Sequence, residues 1–326
     1  MHMDPSQLEK AVTLLEASRR PLLISHPRPD GDTVGCALAL SYALQQRGKL
    51  PLLACVHPIP GTMRYLPGAD DFVQEVPEDA DIDLVIAIDM SDLQRTGGLY
   101  REEWRDTLPL LVIDHHETNE GFGDVSIATP EAAATAMPLI SIIEHLGVNV
   151  EGNIATALLL GILTDTRGLR TESTTPEVLA TVARLIDAGG DYLAVVQKSL
   201  DAVPYQQMRG WGVALSRLQL DNSIAWTTLP LEEKRALGIE DHDDLDLGNL
   251  VSQVAEAEII ATFLEMHDGS VKVSFRARPG HNVAGIAKSL NGGGHRLAAG
   301  CTVSGPLAAA TAKVLPLIRR ELHGTS

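Results

Sequence analysis

The chain has 326 residues, 44% hydrophobic and 21% charged, with 26 Lys and Arg against 43 Asp and Glu for a formal net charge of −17. That length exceeds what one hydrophobic core usually supports, so two domains are expected, and the composition excludes a disordered chain. The acidic balance argues against a broad footprint on duplex DNA, which needs Lys and Arg to neutralise many phosphates, but leaves short anionic ligands open where cations are bound. Cys36, Cys55 and Cys301 are too few and scattered for a disulfide framework or a CxxC zinc site; they read as small buried hydrophobes of a reducing compartment. No apolar run approaches the roughly 20 residues of a membrane span, and the N-terminus lacks a basic segment followed by an apolar core. A cytoplasmic protein with no membrane partner is expected.

Helical spacing of apolar residues predicts a helix over 6–18, then a short buried strand at 21–25 and a small-residue helix over 33–47 closed by Gly48. Further strands follow at 50–55, 84–88 and 110–113. This alternation predicts an α/β fold, a mainly parallel sheet with helices on both faces and ligands beyond the carboxyl ends of the strands. Residues 131–190 read as helical almost throughout, with Thr174-Thr175-Pro176-Glu177 supplying a cap, a proline at the first helical position and an acidic first turn.

The first domain is expected to span 1–190 and a helical connector 191–218. A smaller second α/β domain follows over 219–326. Its strands are expected at 223–229, 257–266 and 270–277, the last two joined by the turn His267-Asp268-Gly269-Ser270. A helix over 283–290, the run Asn291-Gly-Gly-Gly-His295, a strand near 301–303 and a terminal helix from 307 complete it.

Chemistry concentrates at the strand ends. His26-Pro-Arg-Pro-Asp30-Gly-Asp32 puts an imidazole and two carboxylates on one stiffened loop, costly without a cation and suited by its N/O donors to Mn²⁺, Mg²⁺ or a similar metal. A turn in which an aspartate caps the next helix accounts for Asp32 but not for His26 and Asp30. Asp89 ends one apolar strand and Asp114 another, the latter followed at once by His115-His116; singly, each could be a helix cap. Asp165 is an acid at an apolar helix end, where burial demands a partner or a metal. His26, Asp30, Asp32, Asp89, His115 and Asp165 thus form six candidate ligands, enough for two metals that clamp a phosphoryl group and activate water. Three glycines at 292–294 offer backbone N–H groups to an anion, and Arg276 with His295 adds directed donors. A flexible helix exit is the plainer reading of that run. His57, His145, His267, His281 and His323 read as structural or exposed, as do His2 and His242, and the acidic stretch 240–246 as a solvated linker.

Asp114-His115-His116 with His26-x3-Asp30-x-Asp32, Asp89 and Asp165 resembles the DHH phosphoesterase family. Val273-Ser274-Phe275-Arg276 and Gly292-Gly-Gly-His295 resemble its DHHA1 substrate domain. The combination is most similar to the branch of oligoribonucleases and pAp phosphatases, which has relatives acting on cyclic di-AMP. The resemblance implies that His26 and Asp30 hold one metal and Asp32, His115 and Asp165 another, with Asp89 bridging. It implies two Mn²⁺ per chain, with Mg²⁺ or Co²⁺ as substitutes. His116 and Asp89 would be catalytic, His116 facing the substrate and Asp114 orienting a neighbouring histidine. Arg276, Gly292, Gly293, Gly294 and His295 would bind a nucleobase or terminal phosphate. The implied substrates are short RNA, pAp or cyclic dinucleotides. Departures are Asn291, where a fourth glycine is frequent, and the lack of an aromatic after Asp165.

Two other readings stay open. One is an inorganic pyrophosphatase or short-chain exopolyphosphatase; the other is an inactive nucleotide-sensing module. Arg95, Arg167 and Arg170 read as solvated or as phosphate contacts. The sequence leaves the oligomeric state open, homodimer included.

Overall fold

Helix α1 (Pro5–Ala17) starts where the Asp4 side chain accepts the Ser6 N–H and a proline takes the first helical position, whose N–H would be unpaired anyway. β1 (Pro21–Ser25), α2 (Gly31–Gln46), β2 (Leu52–Ala54), β3 (Leu84–Ile88), β4 (Leu110–Asp114) and β5 (Val125–Ala128) follow. β1, β3 and β4 are buried at every residue, which explains their continuous apolar runs in place of alternation. β5 escapes the sequence reading because it is a four-residue edge strand, held by pairing with β4.

This computed structural model describes residues 3–241 and 245–324, and the chain divides into two units, Met1–Ala202 and Val203–Ser326. His2, His242 and the middle of the acidic stretch lie outside the described residues. In the first unit the strand order is β2-β1-β3-β4-β5 and every pair is parallel. Strand order reverses between β1 and β3, so the loops leaving these two strands diverge and open a crevice, the usual ligand place in such sheets. His26 leaves β1 and Asp89 leaves β3 at that switch point.

One sheet face packs on α1, α2 and three helices beyond β5: α3 (Ala136–His145), α4 (Asn153–Asp165) and α5 (Pro176–Asp187). The other is covered by loops and 3₁₀ turns contributing Met90, Leu99 and Trp104. The stretch 131–190 is therefore three helices with two intervening loops. Thr175 caps α5 and Pro176 opens it. Small residues let α2 and α4 touch: a Cβ on Gly35 would lie 2.3 Å from the Ala157 carbonyl oxygen.

The segment expected as connector runs as α6 (Tyr192–Val195), a π turn over Val196–Leu200 and α7 (Tyr205–Ser216), with the division between units inside it. The second unit then carries β6 (Gln219–Asp221), β7 (Ile224–Leu229), α8 (Leu231–Leu237), α9 (Leu247–Val251), β8 (Ile259–Glu265), β9 (Ser270–Ala277), α10 (Val283–Ser289), β10 (Gly293–His295), β11 (Ala298–Ser304) and α11 (Leu307–Leu322). Its sheet order is β10-β11-β9-β8-β7-β6, antiparallel except for β7 and β8. Phe263, Phe275 and Val273 pack there against Ile286, Val314 and Ile318 of α10 and α11.

The glycine run is not a flexible helix exit. It is edge strand β10, paired with β11, and its glycines meet close neighbours: a Cβ on Gly292 would lie 2.2 Å from the Gly300 carbonyl oxygen and one on Gly294 2.5 Å from Ala299 Cα. Gly292 also donates its N–H to the Ala287 carbonyl at 2.8 Å, so that group is not free for an anion.

Lys234 on α8 is 1% exposed, and its ammonium donates to Asp241 Oδ1 at 2.5 Å and to the Glu265 carbonyl at 3.2 Å. Asp241 also accepts the His267 backbone N–H at 2.9 Å, which ties the β8–β9 turn to α8 and gives His267 a structural role. Slight burial pushes the Asp241 carboxyl up, but hydrogen bonds from Lys234 and His267 hold it well below the usual carboxylate range. A depressed carboxyl stabilises the fold above its unfolded pKa of about 3.9, and that contribution fades as pH falls toward the folded value. Asp241→Asn is expected to cost about 1–3 kcal/mol at pH 7, part of the pair's strength being screened because Asp241 is one-third exposed. Denaturant unfolding of both proteins at pH 7 and pH 3 checks this; the gap narrows at the lower pH, and a constant gap contradicts the charge argument.

Candidate metal centre

Asp30 performs the cap attributed above to Asp32. Its Oδ1 accepts the N–H groups of Asp32 and Thr33 at 3.1 and 3.2 Å, opening α2, while Oδ2 faces His26 Nε2 at 3.5 Å. Asp32, in the first turn of α2, is fully buried and reaches the start of α3: Oδ2 accepts the Thr135 N–H at 2.6 Å and Oδ1 the Ala136 N–H at 3.1 Å. Two acids of the loop are thus held by two helix N-termini, where unpaired N–H groups and the helix dipole favour negative charge. Burial raises the Asp32 carboxyl well above its ordinary range, and the nearby Asp165 and Asp89 add to the rise.

Asp89, 2% exposed, sits beyond β3 in the left-handed region at φ 59°, a conformation aspartate tolerates better than most residues. Its Oδ1 accepts the Thr135 hydroxyl at 2.9 Å and its Oδ2 lies 3.4 Å from His26 Nε2. From the end of β4, Asp114 turns back into the protein: Oδ1 accepts the His116 Nδ1–H and Oδ2 the Asn119 amide, both at 2.7 Å. Although burial pushes Asp114 upward, these bonds keep it below the usual range. Asp165, the last residue of α4, places Oδ2 3.1 Å from His115 Nε2; burial and then the Asp89 and Asp30 charges push it up to about 6, against the pull of His115.

The three histidines share one logic. Carbonyl and carboxylate oxygens only accept, so the contacts from Nδ1 of His26 to Pro27 O, of His115 to Ala132 O and of His116 to Asp114 each place a proton on Nδ1. Nε2 of His26 and of His115 then turns toward the acids. Among the described residues no group completes a hydrogen bond to the buried His26 Nε2, which calls for a cation or a second proton. Burial opposes that proton, yet the neighbouring acids carry His26 and His115 up to about 10. A histidine whose other N–H is fixed by a carbonyl is the ordinary arrangement of a metal ligand.

Among the described residues, three groups have ligand atoms within 4.8 Å of one another: His26, Asp30 and Asp89; Asp32, His115 and Asp165; Asp89, His115 and His116. The site can therefore hold a metal. All six candidate ligands and His116 come together, and Asp114 lies outside these groups. Sequence reasoning missed Thr135 and Asn119 and left Arg95 open between a solvated side chain and a phosphate contact; Arg95 donates to His116 Nε2 at 3.4 Å. Only Asn119, three residues past the Asp-His-His run, has a local signal. His57 accepts the Arg28 N–H at 3.0 Å and so steadies the His26 loop, where Arg28 sits at φ 55°.

In the second unit the register His295–Ala298–Arg276 puts His295 and Arg276 in one row on one sheet face. Lys272, Ser274 and Arg276, alternate residues of β9, line a cavity of about 140 Å³ with Thr262 and Gly248. Asn249 holds the guanidinium, accepting from Arg276 Nε at 3.0 Å. Arg278 instead braces carbonyls of residues 254, 255 and 257.

A Cβ on Gly161 would lie 2.4 Å from Asp32 Oδ1. Gly161→Ala is expected to dislodge the Asp32 carboxylate from α3, costing about 2–3 kcal/mol of stability and weakening Mn²⁺ binding at least tenfold. Gly212→Ala on α7, with open space around its Cβ, is the control and leaves stability level or raised. Thermal unfolding and Mn²⁺ titration of both variants decide; equal behaviour would contradict the close approach.

Residues 21–162 match the DHH family, N-terminal domain, and residues 236–323 match the DHHA1 domain. The bifunctional oligoribonuclease and PAP phosphatase NrnA of Thermus thermophilus is 36% identical over 314 residues, 95% of this chain and 92% of that one. The cyclic-di-AMP phosphodiesterase GdpP of Geobacillus thermodenitrificans is 26% identical over 86% of this chain and 44% of its own. An exopolyphosphatase-related protein of Bacteroides fragilis shares the fold, with a TM-score of 0.85 and 21% identity over 98% of each chain. The chain belongs to the DHH family of phosphoesterases, its DHH domain followed by a DHHA1 domain.

Proposed function

We propose that this protein is a Mn²⁺-dependent hydrolase of short nucleotides, acting on RNA of a few residues and on pAp, with cyclic dinucleotides and their linear products as further substrates. The observation that carries the reading is Asp89, shared between the set with His26 and Asp30 and a set with His115. Similarity to the Thermus relative along nearly the whole chain supports the substrate class. His26, Asp30 and Asp89 would hold one cation, and Asp32, His115 and Asp165 with Asp89 a second. The N/O donor set without thiolate suits Mn²⁺, with Mg²⁺ or Co²⁺ as substitutes. Divalent cations bound there supply Lewis-acid chemistry: they polarise the phosphoryl oxygens and acidify water.

The chain's own residues do the rest. Hydrolysis bonds a water oxygen to phosphorus, breaks the bond to the leaving oxygen and delivers a proton to that oxygen. Because Asp114 keeps the His116 Nδ1–H, any proton that His116 passes moves at Nε2. Asp114 orients His116 and binds no cation itself. We assign the row of Arg276 and His295, beside Gly293 and the close-packed Gly292 and Gly294, to nucleotide binding. Three free, buried cysteines support a cytoplasmic location. We read 1–190 as the catalytic domain, 191–218 as the connector and 219–326 as the substrate domain. The pyrophosphatase and sensor readings lose ground to the DHHA1 domain and the complete ligand set.

Asp89→Asn keeps the Thr135 contact and the backbone conformation but removes the shared charge. It is expected to weaken both Mn²⁺ sites at least tenfold and to lower kcat at least 10²-fold, as the loss of a group that supports the transition state does. His116→Ala retains both sites. Two normal sites in Asp89→Asn by calorimetry would refute the sharing.

A net charge of −17 repels an extended polyanion from the surface outside the site. Cleavage of labelled RNA at low salt, where repulsion is least screened, should fall steeply from two to about 24 nucleotides. Flat or rising efficiency with length would instead indicate a processive exonuclease. Comparing kcat/KM for pAp, dinucleotides and cyclic di-AMP ranks the substrates, and inactivity toward all three would overturn the reading.

A further inference from the structure

Arg95 reaches the edge of the acidic site at His116. It lies on a 3₁₀ turn, Leu93–Thr96, and its guanidinium donates to His116 Nε2 at 3.4 Å, on the ring edge opposite Asp114. Among the described residues, no carboxylate stands within ion-pair distance of that guanidinium. A half-buried arginine without a counter-ion, set beside a cluster of aspartates, has its charge available to an incoming anion.

The turn is built to hold it there. Asp92 caps the turn, its Oδ1 accepting the Gln94 and Arg95 N–H groups at 2.9 and 3.2 Å, and Ser91 Oγ donates to the other oxygen at 3.1 Å. Thr96 donates to the Leu93 carbonyl at 2.8 Å. Gly97 closes the turn at φ 65°, where a Cβ would lie 2.8 Å from Pro27 Cγ and equally close to Val56. Pro27 follows His26, so the segment carrying Arg95 is wedged against the loop that carries His26 and Asp30. Both segments leave the crevice between β1 and β3.

We propose that Arg95 is a catalytic residue: its guanidinium donates to a non-bridging oxygen of the phosphoryl group under attack, countering the charge that develops there beside His116. This rests on the phosphoester reading above. It assigns the first unit its own phosphate contact, separate from Arg276, which bonds Asn249 and lines the cavity of the second unit. A planar guanidinium can serve His116 and a phosphoryl oxygen through different N–H groups, which a lysine cannot do with the same geometry.

The test uses the full-length, Mn²⁺-loaded protein and the variants Arg95→Ala and Arg95→Lys. With bis-p-nitrophenyl phosphate, Arg95→Ala is expected to lower kcat by about 10²–10³ while KM stays within a few-fold, the pattern for a group that acts in the transition state. Arg95→Lys is expected to recover part of the loss. Independently of turnover, calorimetric titration with orthovanadate should show affinity at least tenfold weaker in Arg95→Ala, with Mn²⁺ binding and thermal unfolding unchanged. Unchanged vanadate affinity overturns the proposal whatever the rate, and so does loss of Mn²⁺ binding, which would make Arg95 a structural support of the ligands. If the wild type hydrolyses no ester, the phosphoester reading falls, while the vanadate comparison still judges Arg95.

Discussion

The structure depends on one electrostatic constraint: Asp30, Asp32, Asp89 and Asp165 converge at the carboxyl edge of a parallel sheet, with Asp32 and Asp89 almost wholly removed from water. Charge buried that way is costly unless it is paired, hydrogen-bonded or neutralised. The first unit meets part of the cost with its helices. Asp30 takes the N-terminal N–H groups of α2, Asp32 those of α3, and Thr135 donates its hydroxyl to Asp89. What those bonds leave over is aimed inward, as is His26 Nε2, which faces Asp30 and Asp89 at 3.5 and 3.4 Å. The residual demand is for cations, and the fold makes it by placing acids faster than it supplies donors.

The same constraint governs packing. Gly35 lets α2 and α4 approach closely, and Gly161 of α4 leaves room for the Asp32 carboxylate where it bonds the start of α3. The near absence of aromatic residues, 4% of the chain, fits a core in which aliphatic and small residues set short helix–helix distances. Replacing a small residue there moves a carboxylate as well as a helix. Stability and site geometry are coupled through the same few atoms.

Much of this was legible in the sequence because fully buried parallel strands leave a strong trace. The runs at 84–88 and 110–113 are apolar throughout, that at 21–25 is apolar but for Ser25, and each stops at a histidine or an acid, so strand and site were visible together. Three of the short edge strands left no such trace. β5, β6 and β10 have three or four residues each and exist through their neighbours' ladders. The choice of Asp30 over Asp32 as the cap was likewise hidden: it depends on the extended backbone of Asp30, φ −100° and ψ −172°, and both residues have the chemistry. Thr135 and Arg95 meet their partners across 46 and 21 residues, which no local pattern encodes.

The glycine run shows how one motif serves two physical ends. Gly292 and Gly294 are required by the closeness of β11, a steric reason sufficient in itself for their presence. Gly293, with nothing near its Cβ, is free of that reason. The hairpin they permit brings His295 into register with Ala298 and Arg276, two polar side chains on one face separated by a single small residue. A side chain larger than alanine at 298 would fill the gap between them. The glycines therefore act through register: by letting β10 pair closely with β11 they set His295 in the row with Arg276, and the nucleotide binding proposed for that row rests on these side chains more than on the glycine backbone.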